Sequence, residues 1–134
     1  MQEWLVPYTP SIWAAGTTAM LLIAQIVVLD VAGIRAGHVP GAGVVADHGN
    51  FFFRAVRAHA NTNESIAAFI LVLAFAVLTA ATPRWVNGLA WMYVLARTAH
   101  MLCYYADARI PRSICFVAGT LAIVGLFVVA AAGL

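Results

Sequence analysis

The chain's strongest constraint is a nearly pure apolar run, Ile66 to Ala81. It follows directly on Phe51-Phe52-Phe53-Arg54-Ala55-Val56-Arg57-Ala58-His59-Ala60-Asn61-Thr62-Asn63-Glu64. The spacing predicts one helix over 51–81. Arg54, Arg57, Asn61 and Glu64 recur at i, i+3, i+7 and i+10. At about 100° per residue they fill a stripe roughly 80° wide. Two guanidiniums, an amide and a carboxylate thus share one face of a helix that runs on into hydrocarbon. Such a helix would be about 46 Å long, against a hydrocarbon layer of about 30 Å. Its polar third projects toward water while the rest spans. A polar stripe at that depth needs a partner, either another helix or a ligand.

Composition fixes where such a chain can live. Of 134 residues, 64% are hydrophobic and 9% charged, where a soluble globular domain carries about 25% charged residues. The outer surface must therefore meet lipid, and the length allows one domain, 1–134. The net charge of +2 is small, and no basic run points to nucleic acid. All the basic residues are Arg, and Lys is absent. Arg suits planar, bidentate capture of carboxylates, although a GC-rich genome would supply the same bias. Cys103 and Cys115 sit in apolar surroundings at no metal or redox spacing and read as small packed side chains. Met1-Gln2-Glu3-Trp4 offers no positive n-region, so no removable signal peptide is expected.

Four apolar blocks follow in order, at about 12–35, 51–81, 85–107 and 113–134. The first is long enough to span. Trp4, Tyr8 and Trp13 lie near its start, as interfacial aromatics do. The stretch from Ala36 to Asn50 is rich in Gly and holds Pro40, so it reads as a loop. Asp47 or Asn50 is placed to cap the next helix. Thr82-Pro83-Arg84 reads as a tight turn, and Pro111 stands just before the fourth block. Short connections imply antiparallel neighbours. The expected fold is all-α, an integral-membrane four-helix bundle running up and down. Arg35, Arg54 and Arg57 flank the first loop and Arg109 and Arg112 the third, against Arg84 alone at the second. The positive-inside rule then puts the first and third loops in the cytoplasm, with the polar stripe at that end.

The third block repeats the spacing: Arg97, His100, Tyr104 and Asp107. Arg97 lies deep in apolar sequence. An intramembrane Arg costs about 2.5–3.5 kcal/mol on insertion scales and faces the bundle interior, paired. Glu64 and Asp107 are the acids available there, and an Arg97–Glu64 pair acting only as interhelical glue would account for both stripes. Against that, Arg35, Arg54, Arg57, Arg97, Arg109 and Arg112 gather at one end opposite only Asp30, Asp47, Glu64 and Asp107. A net positive, partly desolvated pocket is an anion site, and Asn61 and Glu64 add groups that suit an ammonium. A ligand with carboxylates and an amino group is complementary.

These residues carry a family resemblance. Arg54-x-x-Arg57-x-x-x-Asn61-x-x-Glu64 resembles the second-helix signature of the MAPEG superfamily, the membrane-associated proteins of eicosanoid and glutathione metabolism. Arg97-x-x-His100-x-x-x-Tyr104 resembles that family's third-helix Arg and Tyr positions. Arg109-Ile110-Pro111-Arg112-Ser113 resembles the start of its fourth helix. The resemblance covers essentially the whole chain and implies a homotrimer binding glutathione between subunits near the cytoplasmic face. Arg54 and Arg57 match positions that hold glutathione or its pocket, and Asn61 and Glu64 match positions that bind its backbone and amino end. Arg35 matches a basic residue that reaches a carboxylate. Arg97, His100 and Tyr104 match pocket positions, His100 standing where some members have Tyr. Arg112 matches the arginine beside the sulfur. A third loop one residue shorter than in some members leaves Arg109 as the alternative.

The implied activity is that of a membrane-bound glutathione-dependent transferase or peroxidase. Glutathione would be the co-substrate, no metal would be used, and the second substrate would be a lipophile drawn from the bilayer. A free thiol has a pKa of about 8.5, which a neighbouring Arg lowers by a unit or more. Arg112 at the positive end of a helix suits that task, and Tyr104 can donate a hydrogen bond to the sulfur or the acceptor. Two alternatives stand beside this reading: a non-catalytic binder of glutathione or lipid, and a bis-His haem bundle through His59 and His100. His59 lies about 140° round the helix from Arg54, off the polar stripe. The Ala/Gly-rich, Lys-free composition points to a bacterial inner membrane.

Overall fold

The computed structural model describes residues 3–133; Met1, Gln2 and the expected end of the last helix at Leu134 lie outside the described residues. A short 3-10 helix, Glu3–Tyr8, leads into α1 (Thr9–Arg35), and α2 (Phe51–Leu78), α3 (Pro83–Tyr105) and α4 (Arg109–Ala131) follow. The described residues contain no strand. Brief turns join α2 to α3 and α3 to α4, so these neighbours run antiparallel. Helices α2 and α3 each pack against every other helix, whereas α1 and α4 hardly meet.

Helix existence follows the sequence, but several ends shift. α2 stops at Leu78 rather than Ala81, because Ala80 turns left-handed at φ 51°. The turn is closed by Ala81 N–H donating to the Ala76 carbonyl, the usual way of satisfying a helix end. α3 starts two residues early at Pro83 and stops at Tyr105 rather than Asp107, with Asp107 left-handed at φ 54°. α4 begins at Arg109, four residues before Ser113. Pro111 therefore lies inside its first turn, where backbone N–H groups have no helical partner for a proline to remove. Of the two cap candidates, Asn50 takes the role, its side-chain oxygen accepting from Phe52 N–H at 2.8 Å.

Three helices are apolar enough to cross a membrane by length and composition: the first with its 3-10 lead (mean hydropathy 2.0), α2 (1.6) and α4 (2.6). α3 falls below them because it carries Asn87, Arg97 and His100. It compensates by position. Val86, Ala90, Tyr93, Val94, Ala96, Arg97, His100 and Tyr104 are all buried. α3 is thus the inner helix, while Met20, Ile23, Val27, Leu71, Leu121 and Val128 on the others face outward. That apolar outside and the three spans make this an integral membrane protein.

Polar side chains pin the bundle at two depths. At the end away from the long loop, Tyr8 hydroxyl donates to the Ala81 carbonyl. There Asn87 also donates to the Pro7 carbonyl at 2.9 Å and accepts from both the amide and the hydroxyl of Ser11. Deeper in, the wholly buried Gln25 of α1 donates to the Thr62 hydroxyl of α2 at 3.1 Å.

Candidate functional site

The long-loop end holds the site. Asn61 on α2, Arg97, His100 and Tyr104 on α3, and Arg112 on α4 converge on a groove made of two adjoining hollows. One, of about 240 Å³, is lined by Asn61, His100, Tyr104, Arg112, Ser113, Phe116 and Val117. The other, of about 320 Å³, shares Asn61 and Phe116, adds Glu64, Ser65 and Arg97, and continues along Ala68, Thr120, Ile123 and Val124. The groove therefore grades from cationic and aromatic to apolar.

Arg97 is its centre. The residue is 1% exposed, with its guanidinium 5.4 Å from the Tyr93 ring centroid and 5.3 Å from that of Phe116. Its Nη1 donates to Asn61 Oδ1 at 2.7 Å, and its Nε has no partner. The expected acid is not there. Among the described residues the one ion pair is Arg109 with Asp107, at 3.8 Å on the surface. Glu64 lies a turn along α2, exposed on the groove wall. The full charge of Arg97 is thus met by an amide oxygen and two aromatic faces. Cation–π contact is worth about 2 kcal/mol when desolvated, well short of the several kcal/mol that burying an ion costs. Such a residue keeps an electrostatic demand that an anion can meet.

Arg112 stands in the first turn of α4, its guanidinium 4.4 Å from the Tyr104 ring centroid and its Nη1 buried without a partner. The starting point of α4 explains its direction. With the helix opening at Arg109, Arg109 turns outward to Asp107 while Arg112 lines the groove. His100 packs edge-on against Tyr104, 5.1 Å between centroids, and its Nδ1 is also unpartnered.

The remaining residues singled out from sequence lie elsewhere. Arg54 is half-buried and spends its guanidinium on backbone, donating to the carbonyls of His48, Gly49 and Tyr105. It ties the long loop to the end of α3. Arg57 and Arg35 are exposed. Arg35 lines a separate hollow of about 580 Å³ between α1 and α2, with Val27, Val31, Asn50 and Phe51. Periodicity missed Ser65 and Phe116, which line the groove, and Tyr93 and Gly119, which are buried against Arg97 behind it. Tyr93, one turn before Arg97, would have been found by extending the third-helix stripe. Ser65 follows Glu64 directly, and its hydroxyl lies 2.8 Å from that of Tyr93. Phe116 and Gly119 look like ordinary apolar α4 residues and carry no sequence signal of their own.

A membrane-embedded helical bundle with an unmet cation beside a polar-to-apolar groove is the class of protein these features define. The MAPEG family model matches residues 10–132, nearly the whole chain, and the protein belongs to that family. Membership ties it in general terms to membrane chemistry of glutathione and eicosanoids. No curated protein matches the chain.

Proposed function

We propose that this protein is a membrane glutathione transferase that ionises the glutathione thiol beside Arg112 and delivers it to lipophilic acceptors. The observation that carries the reading is Arg97, a buried guanidinium without an acid partner on a groove that also presents Arg112 and Tyr104. A tripeptide with two carboxylates supplies the missing negative charge. Asn61, with its amide already oriented by Arg97, and Glu64 on the groove wall suit its backbone and ammonium. Arg54 is a positioning residue in this scheme, holding the loop and the end of α3 in place. Arg35 and Arg57 are exposed and line neither hollow of the groove. Glutathione held between copies, as in a homotrimer, gives Arg35 of a neighbouring copy a carboxylate to reach.

The chemistry needs little more. The Arg112 cation stabilises the thiolate, and each unit by which the thiol pKa falls is about 1.36 kcal/mol. The thiolate attacks an electrophilic carbon, forming a C–S bond while the leaving group departs with its electron pair. With a lipid hydroperoxide it attacks the terminal oxygen instead. The O–O bond breaks, leaving glutathione sulfenic acid and an alkoxide. The alkoxide takes a proton that Tyr104 can deliver, Tyr104 regains one from water, and a second glutathione thiol displaces water from the sulfenic acid to give the disulfide. The apolar continuation past Thr120, Ile123 and Val124 gives the acceptor a path from the bilayer. The site then opens at the cytoplasmic face by the positive-inside distribution of Arg35, Arg54, Arg57, Arg109 and Arg112.

The test is turnover of a panel of electrophiles and lipid hydroperoxides with glutathione, wild type against Arg112→Ala, with glutathione binding followed by calorimetry in detergent. Arg112→Ala is expected to keep binding and lose turnover by about tenfold or more at neutral pH, the thiolate fraction lost per pKa unit. Binding in the wild type without any turnover would make the protein a non-catalytic binder. No heat with glutathione would overturn the reading altogether.

A further inference from the structure

Gly119 lies in the interior of α4, where glycine is about 1 kcal/mol less favourable than alanine. It is buried. A Cβ built there would stand 3.2 Å from Arg97 Nε and 3.5 Å from both Cζ and Nη2. Nothing else lies closer to it. A Cβ at the helical Gly16 or Gly88 meets nothing within 4 Å, at Gly125 it meets the movable end of Leu89, and at Gly33 the apolar ring of Phe52; at Gly119 it meets a charged group. The guanidinium also has little freedom to retreat. Tyr93 and Phe116 flank it, and Nη1 is fixed on Asn61 at 2.7 Å. Tyr93 is itself held, wholly buried, stacked on Phe69 with centroids 4.0 Å apart, and hydrogen-bonded to Ser65.

We infer that Gly119 is a positioning residue for ligand binding: it is the notch in α4 that seats Arg97 and sets where its charge meets the ligand. The inference rests on the glutathione-binding reading above and extends it to a residue with no polar atom in its side chain. Gly119 acts only through Arg97. An added methyl pushes the guanidinium a few tenths of an ångström off its seat against Asn61, Tyr93 and Phe116 and so weakens ligand capture, while the helix itself gains propensity.

The experiment is a double-mutant cycle read by glutathione calorimetry, by KM and kcat, and by thermal unfolding in detergent. Gly119→Ala is expected to weaken glutathione binding about tenfold, roughly the loss of one good charge-assisted contact. The change should appear in Kd and KM, with kcat and the unfolding temperature little altered. In an Arg97→Lys background, whose slimmer ammonium clears the methyl, Gly119→Ala should change the remaining affinity less than about twofold. Gly88→Ala is the control and should bind as wild type. Wild-type binding together with unchanged affinity in Gly119→Ala overturns the inference and leaves the functional reading intact. Equal losses in the Arg and Lys backgrounds overturn it as well, since the effect would then not pass through Arg97. Absent binding in the wild type overturns both.

Discussion

The two ends of the bundle use polar side chains in opposite ways. At the end away from the long loop, Asn87 has its amide donating to Pro7 and its oxygen accepting twice from Ser11, and Tyr8 is satisfied by Ala81. At the loop end, the side chains on the groove keep buried atoms without partners: Arg97 Nε, His100 Nδ1 and Arg112 Nη1. A buried polar group left unmet costs about 1–3 kcal/mol, and more when charged. One end thus meets its polar demands internally and holds the helices together, while the other leaves them open to a ligand. The difference is one of placement and not of residue type, since both ends use amides and tyrosines; unmet buried atoms also occur off the groove, at Gln25 Oε1 and Arg54 Nε.

The comparison can be broken most sharply at Arg97. Arg97→Met should weaken glutathione binding by about 3 kcal/mol, the scale of removing one member of a buried charged contact. Calorimetry reads the loss. The unfolding temperature should hold or rise, since an uncompensated buried charge disappears. A collapse of stability would instead place Arg97 with the structural end. Asn87→Ala is the mirror test. It leaves the Pro7 carbonyl and the Ser11 donors without their partner and should destabilise the protein by about 2 kcal/mol, with glutathione affinity unchanged. A loss of affinity there would show that the ends are coupled. The smallest effect is expected at Ala80, left-handed at φ 51°. Ala80→Gly should stabilise by about 0.5–1 kcal/mol in thermal unfolding, again without touching binding.

Sequence periodicity located the helices and much of the groove for the same physical reason. Asn61 on α2 and Arg97, His100 and Tyr104 on α3 share faces because 3.6-residue geometry puts them there, whatever the tertiary fold. What periodicity could not show is which group on one helix meets which on another. It put an acid against Arg97, whereas packing brings Asn61. It put Arg54 on the polar stripe, but could not show that this guanidinium meets two carbonyls of the loop and one at the end of α3. Which of Arg109 and Arg112 lines the groove turned on where α4 begins, and Pro111 hid that by sitting inside the first turn. Helix ends at Ala80 and Asp107 escaped notice because non-glycine residues adopt the left-handed turn there.

The buried Gln25–Thr62 contact fixes more than two side chains. Thr62 gives its hydroxyl proton to the Ala58 carbonyl at 3.2 Å, so its oxygen is free to accept from Gln25. Between Ser11, held by Asn87, and Gly33, seated against the Phe52 ring, much of α1 is apolar or small. Moving α1 by one turn would strand a primary amide in hydrocarbon, so the pair works as a detent with a single resting place. Because Thr62 is the residue next to Asn61, the same catch indexes the outer helix to the depth at which Arg97 finds its amide partner.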